Sequence, residues 1–138
     1  MACTLIYIHD LCVIVTNIAT WNFLFAADLS VKFSDFTESS ILSFGTDMQV
    51  TDDAGYLIYT DIGQLGTVMY EVVTGKLCKF DLYKNQLAGL ATAVWLWRED
   101  LPSIQDIWLS SIIEMCWTKG AFQNTCKLLA VLDLVALE

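Results

Sequence analysis

Charge is what this 138-residue chain has least of. Only 17% of its residues are Asp, Glu, Lys or Arg, against roughly 25% in an average globular domain. So little solvating surface predicts apolar surface that needs a partner lobe, a protein partner or a membrane. Basic side chains are scarcest: seven Lys and Arg stand against sixteen Asp and Glu, a net charge of −9. That sign repels phosphate and excludes non-specific nucleic-acid binding. Histidine occurs once, as His9, and the five cysteines (Cys3, Cys12, Cys78, Cys116 and Cys126) form no C-x-x-C pair. Zinc-ligand spacing is therefore excluded. The odd cysteine count predicts free thiols in a reducing compartment, hence an intracellular, cytoplasmic protein. No basic stretch precedes the N-terminal apolar residues, so no secretory signal is read. There is no internal repeat, low-complexity tract, acidic tail or interdomain linker, and the length suits one domain with one core.

The longest uncharged stretch is Leu11–Ala27, LCVIVTNIATWNFLFAA. It approaches the roughly 17–25 residues of a membrane-spanning helix. Thr16, Asn17, Thr20 and Asn22 interrupt it, and its β-branched and aromatic residues suit buried strands better. A membrane anchor over residues 11–27 is thus the less favoured alternative.

Along the chain, Thr4–His9 reads as the end of a helix and Val13–Val15 as a β-branched run. Phe23–Phe25 and Val31–Phe33 read as a short hairpin around Ala26–Ser30, where Asp28 suits a turn. Glu38–Tyr56, with Gly45, Gly55, Asp47, Asp52 and Asp53, reads as an acidic, solvated loop. Residues 60–76 read TDIGQLGTVMYEVVTGK. Ile62, Leu65, Val68, Met69, Val72 and Val73 recur at helical steps. Thr60 is the expected cap, and Gly75 the expected stop. The helix should span about Asp61–Thr74 and be buried on most sides. Lys76–Pro102, containing Gly89, reads as loop plus one short helix. Ser103 with Asp106 makes a capping-box pattern before a stripe of Ile107, Trp108, Ser111, Ile112 and Met115. A last helix begins at Asn124 or Thr125, with Leu128, Leu129, Leu132, Val135 and Ala136 on one face. Trp95, Trp97, Trp108 and Trp117 read as core or lobe-surface packing residues, and His9 as a packed helix-end histidine.

The residue 60–76 string resembles the S-D-x-W-S-x-G-x-x-x-Y-E-x-x-T-G stretch of the buried F helix of protein kinases, matching at Asp61, Gly66, Tyr70, Glu71, Thr74 and Gly75. Tyr7-Ile8-His9 looks like the Y-L-H that ends the E helix. Val13–Asn22, VIVTNIATWN, looks like the catalytic loop I-I-H-R-D-L-x-x-x-N. Asp28–Phe36, DLSVKFSDF, looks like the strand pair running into D-F-G. Cys116-Trp117 resembles the C-W at the end of the H helix in tyrosine-kinase and tyrosine-kinase-like families. The resemblance implies a mainly α fold with a small β hairpin, a kinase-like C-lobe with its N-lobe absent. Its parts would be the E-helix end at 1–12, the catalytic loop and D-F-G-like segment at 13–37, a shortened activation segment at 38–60, and the F to I helices at 61–138.

The family's roles carry over position by position. Asp35 stands at the D-F-G aspartate and Asn22 at the catalytic-loop asparagine, both magnesium ligands by resemblance. Asp61 corresponds to an aspartate that accepts backbone hydrogen bonds from the catalytic loop, a structural role. Asn17 stands where the catalytic aspartate belongs, and a carboxamide cannot take the substrate hydroxyl's proton. Val15 and Thr16 replace the loop's His and Arg, and Thr37 replaces the D-F-G glycine. No A-P-E lies between Glu38 and Thr60, and Ala121–Asn124 carries no arginine to pair with its glutamate. The chain contains no G-x-G-x-x-G loop, strand lysine or helix-C glutamate. The family activity is ATP-dependent phosphorylation of protein hydroxyls, with Mg and ATP as cofactors. This chain reads as a truncated or pseudokinase form, with nucleotide binding weak or absent and catalysis lost. The alternatives are a non-catalytic protein-interaction module and a small membrane protein anchored by residues 11–27. Self-association or a protein partner is expected, through an apolar Val13–Phe36 face holding Ile14, Trp21, Phe23, Phe25 and Phe33.

Overall fold

A computed structural model describes residues 1–84, 86 and 92–136. Gly89 lies outside the described residues. Among those described, four helices and two small antiparallel sheets form a mixed, mainly helical fold: α1 (Ala2–Asp10), β1 (Val13–Ile14), β2 (Phe23–Phe25), β3 (Val31–Phe33), β4 (Ser40–Ile41), α2 (Ile58–Thr74), α3 (Ser110–Trp117) and α4 (Thr125–Ala136). Single 3-10 turns lie at Thr20–Asn22 and Arg98–Asp100.

The central helix is α2. It is buried around most of its circumference from Ile58 to Glu71, because α3 packs along one side and the Val15–Ile18 segment crosses another. It starts earlier than Thr60, which corrects the expected cap. Leu57 holds the extended cap position, while Thr60 sits inside the first turn. There its hydroxyl donates to the Leu57 carbonyl at 2.6 Å and accepts the Leu57 amide at 3.2 Å. The threonine thus does a cap's work from within the helix, by bonding backward. Gly75 ends the helix in the left-handed conformation, at φ 69°, as the sequence predicts.

The core lies where α1, α2, α3 and α4 converge. Leu5, Leu65, Ile112, Ile113 and Leu128 are completely or almost completely buried there. Gly66 lets α2 and α3 approach closely: a Cβ on it would lie 2.5 Å from the Cβ of Cys116. Trp117 closes the seam, its indole N–H donating to the Thr67 hydroxyl at 3.1 Å and its ring 5.7 Å from that of Tyr70. A buried tryptophan needs such an acceptor.

The hairpin forms as read, with Phe23 opposite Phe33, Leu24 opposite Lys32 and Phe25 opposite Val31. The second sheet was hidden in the sequence. Ser40–Ile41, inside the presumed loop, pairs with Val13–Ile14. Residues 11–27 are divided among β1, the 3-10 turn and β2, and among the described residues no helix is long and apolar enough to cross a membrane.

Between Lys76 and Pro102 the described residues hold loop and one short 3-10 helix, Arg98–Asp100. Two further readings need correction. The Ser103–Asp106 capping box does not form: α3 starts at Ser110 after Leu109, which is left-handed at φ 63°. Ile107 and Trp108 thus precede the helix, and Trp108, like Trp97, is about two-thirds exposed. Trp95 does pack, edge-on to Phe80. Asn124 caps α4, its side-chain oxygen accepting the Lys127 amide at 3.0 Å, and Leu128 leads that helix's buried face.

Candidate functional site

Asp61 is the anchor. It lies in the first turn of α2 and is fully buried. Its Oδ2 accepts the Val15 amide at 2.8 Å and its Oδ1 the Thr16 amide at 2.9 Å. His9 Nε2 lies 2.9 Å from the same Oδ2, and His9 Nδ1 lies 2.9 Å from the Thr125 hydroxyl. One carboxylate therefore ties α1, α2, α4 and the Val15–Thr16 segment together. A buried carboxylate is tolerated when its lone pairs are filled in this way.

Thr16 takes a left-handed conformation, φ 66°, which is costly for a β-branched residue. Its surroundings hold it there. Besides its amide on Asp61, its carbonyl accepts from Gln64 Nε2 at 2.7 Å and its hydroxyl donates to the Glu38 carbonyl at 2.5 Å. Gln64 also accepts the Ile18 amide at 2.9 Å through Oε1. The loop is clamped at both sides of Asn17 by one face of α2. Further along that helix, buried Glu71 accepts the Thr20 hydroxyl at 2.8 Å and the Cys78 amide at 2.9 Å. Cys78 sits beside that carboxylate; burial first, then the Glu71 charge, pushes its thiol up to about 11.

Asn17 is half-buried and lines a cleft of about 240 Å³ with Trp21, Lys79 and Asp81. Buried Asn22 donates from Nδ2 to the Asn17 carbonyl at 3.0 Å, and its own carbonyl accepts the Ser34 amide at 2.9 Å. This last bond brings the end of β3, and so Asp35, next to Asn22. Asp35 Oδ1 accepts both the Thr37 amide, at 2.9 Å, and the Thr37 hydroxyl, at 2.7 Å. Those two bonds hold its carboxyl below the usual carboxylate range. Thr37, where a glycine was expected, needs no positive φ; its hydroxyl is spent on Asp35 instead.

The four residues singled out by sequence thus fall into two groups. Asn22 reaches Asn17 through its side-chain amide, and its carbonyl takes the amide of Ser34, the neighbour of Asp35, so these three stand in a row; Asp61 instead holds the Val15 and Thr16 amides just before it. For magnesium, the side-chain oxygens in the row are two amides, of Asn17 and Asn22, and the single carboxylate of Asp35. By their chemistry they suit a hard cation but fall short of an octahedral shell, the remainder of which water and phosphate would have to supply. Among the described residues no group of three or more His, Cys, Asp or Glu could hold a metal ion. Sequence reasoning missed Gln64, Glu71 and Thr125 as loop and helix clamps. For Gln64 a signal existed, since it stands three residues after Asp61 on the same helical face. The Val13–Phe36 face also needs one correction, because Ile14, paired with Ser40 of β4, is fully buried. Trp21, Leu24, Phe25 and Leu29 are the side chains that stand out. No protein-family model matches the chain, and no curated protein matches it.

Proposed function

We propose that this chain is a non-catalytic interaction module built on the plan of a protein-kinase C-terminal lobe. The observation that carries this reading is the double acceptance by Asp61 of the Val15 and Thr16 amides. The F-helix aspartate is expected to hold the catalytic loop in this way, and the segment it holds here is the one that looks like that loop. The bond from Asn22 to the Asn17 carbonyl and the closeness of Asp35 support the same alignment.

The chemistry of the row argues for binding rather than phosphoryl transfer. Asn17 offers a neutral carboxamide where a base is needed, and general-base assistance is typically worth about 10²–10⁴ in rate. Asp35 and Asn22 would be the residues to hold magnesium, whose part is to neutralise charge on ATP phosphates. A single carboxylate holds the cation weakly, and the chain's net charge of −9 repels the ATP phosphates. The exposed Trp21, Leu24, Phe25 and Leu29 favour a protein partner or self-association.

The test is to incubate the purified chain with radiolabelled ATP, magnesium and generic protein substrates. No transfer above buffer is expected, and Mg-ATP should leave the melting temperature nearly unchanged. Phosphoryl transfer that disappears in Asp35→Ala would overturn the reading.

A further inference from the structure

The β2–β3 hairpin has an open edge with a matched charge at each end. In an antiparallel ladder, hydrogen-bonded and non-bonded pairs alternate. The flanking bonds, Ala26 amide to Ser30 carbonyl and Ser34 amide to Asn22 carbonyl, set the phase. Phe23–Phe33 and Phe25–Val31 are then the non-bonded pairs, so the backbone groups of Val31 and Phe33 point away from β2. No hydrogen bond fills them among the described residues. This edge is the ordinary template for an added strand.

Its ends are alike. Asp28, before β3, accepts the Ser30 amide at 3.0 Å and the Ser30 hydroxyl at 2.6 Å, both on Oδ1. Asp35, after β3, does the same with Thr37. Each carboxylate is pinned through one oxygen, and among the described residues no hydrogen bond reaches the other, which can meet a cation. Along the strand the neighbours are apolar: Val31 and Phe33 are half-buried, while Phe25 and Phe36 are exposed. The one cation of the strand, Lys32, lies on the opposite face with Leu24.

We propose that the outer edge of β3 accepts an extended segment of a partner protein as a third strand, the segment carrying Lys or Arg at each end of a short apolar, β-forming run. The proposal rests on the non-catalytic reading above and deepens it by naming the partner's chemistry. A second copy of this chain is disfavoured. Two β3 strands paired antiparallel would bring the Asp28 end of one to the Asp35 end of the other, between molecules that each carry −9.

The probe is the capped heptapeptide KVTVTVK, titrated into the full chain by calorimetry at low ionic strength. Binding is expected. It should weaken about three- to tenfold in the double variant Asp28→Asn, Asp35→Asn, as two exposed ion pairs imply. It should weaken by at least as much for EVTVTVE. Proline at the central position, in KVTPTVK, removes a ladder donor and should abolish binding. No binding of KVTVTVK, or equal binding of either control peptide, overturns the proposal. So does a chain already dimeric by sedimentation whose dimer KVTVTVK does not compete with. The control peptides leave the protein unaltered, so their outcome does not depend on whether the variants fold. Peptide failure with no phosphoryl transfer removes only this edge, whereas phosphoryl transfer lost in Asp35→Ala removes the underlying reading.

Discussion

His9 and Asp61, 52 positions apart in sequence, meet side chain to side chain at 2.9 Å in the interior. The histidine's other nitrogen reaches Thr125 at the start of α4. The carboxylate simultaneously holds two consecutive backbone amides. Removing the carboxylate would strand all of these donors at once.

Asp61→Ala should therefore cost about 3 kcal/mol or more, the sum expected for several unsatisfied buried donors. Asp61→Asn should cost nearly as much, since its amide group would face the Val15 or Thr16 amide. Urea denaturation measures both. A loss below about 1 kcal/mol for Asp61→Ala would falsify the clamp.

Leu29 is 81% exposed and left-handed, with φ 63°, in the β2–β3 turn. It has little packing to lose and a strained backbone to relieve. Leu29→Gly should stabilise the chain by about 0.5–1 kcal/mol, read as a higher melting temperature. A decrease would show that the leucine has a packing role in the free chain.

The seam between α2 and α3 gives the opposite sign. Gly66→Ala places a methyl group 2.5 Å from the Cys116 Cβ and should cost about 1–3 kcal/mol. Cys116→Gly removes that obstacle. In a double-mutant cycle the pair should lose less than the sum of the single changes. Strict additivity would place the strain elsewhere.

Two thiols predict an alkaline weakness. Cys78 is raised from 9.0 to about 11, by burial first and the Glu71 charge second. Burial raises buried Cys116 as well. A folded-state pKa above the unfolded value means that the folded chain keeps the proton longer. The resulting stability is fully present below about pH 9 and is lost as pH rises through about 11. Melting temperature should fall across that window, and less steeply in Cys78→Ala. An unchanged slope would remove Cys78 as a cause.

What the sequence made legible follows from how local each signal is. The α2 helix and its Gly75 stop were readable because periodicity and a left-handed glycine act within a few residues. The hairpin was readable for the same reason, its strands being joined by a short turn. β4 was not, because two residues carry no period and their pairing with Val13–Ile14 is settled by distant parts of the chain. The α3 stripe was read too far back, since Ile107 and Trp108 keep helical spacing across Leu109, where the backbone turns left-handed. At the site, Asp61 stood out through its surrounding motif. Thr125 did not, because its contact with His9 exists only once α1 and α4 are packed together.

Having one histidine, and having it at this junction, gives the chain a built-in reporter. His9 is the only imidazole in the sequence, so its ring signals in a nitrogen–proton correlation spectrum need no assignment by mutation. Nδ1 reads the α4 side and Nε2 the α2 side. A partner that shifts either helix would move one nitrogen resonance without the other, and so disclose from which direction the interior is disturbed.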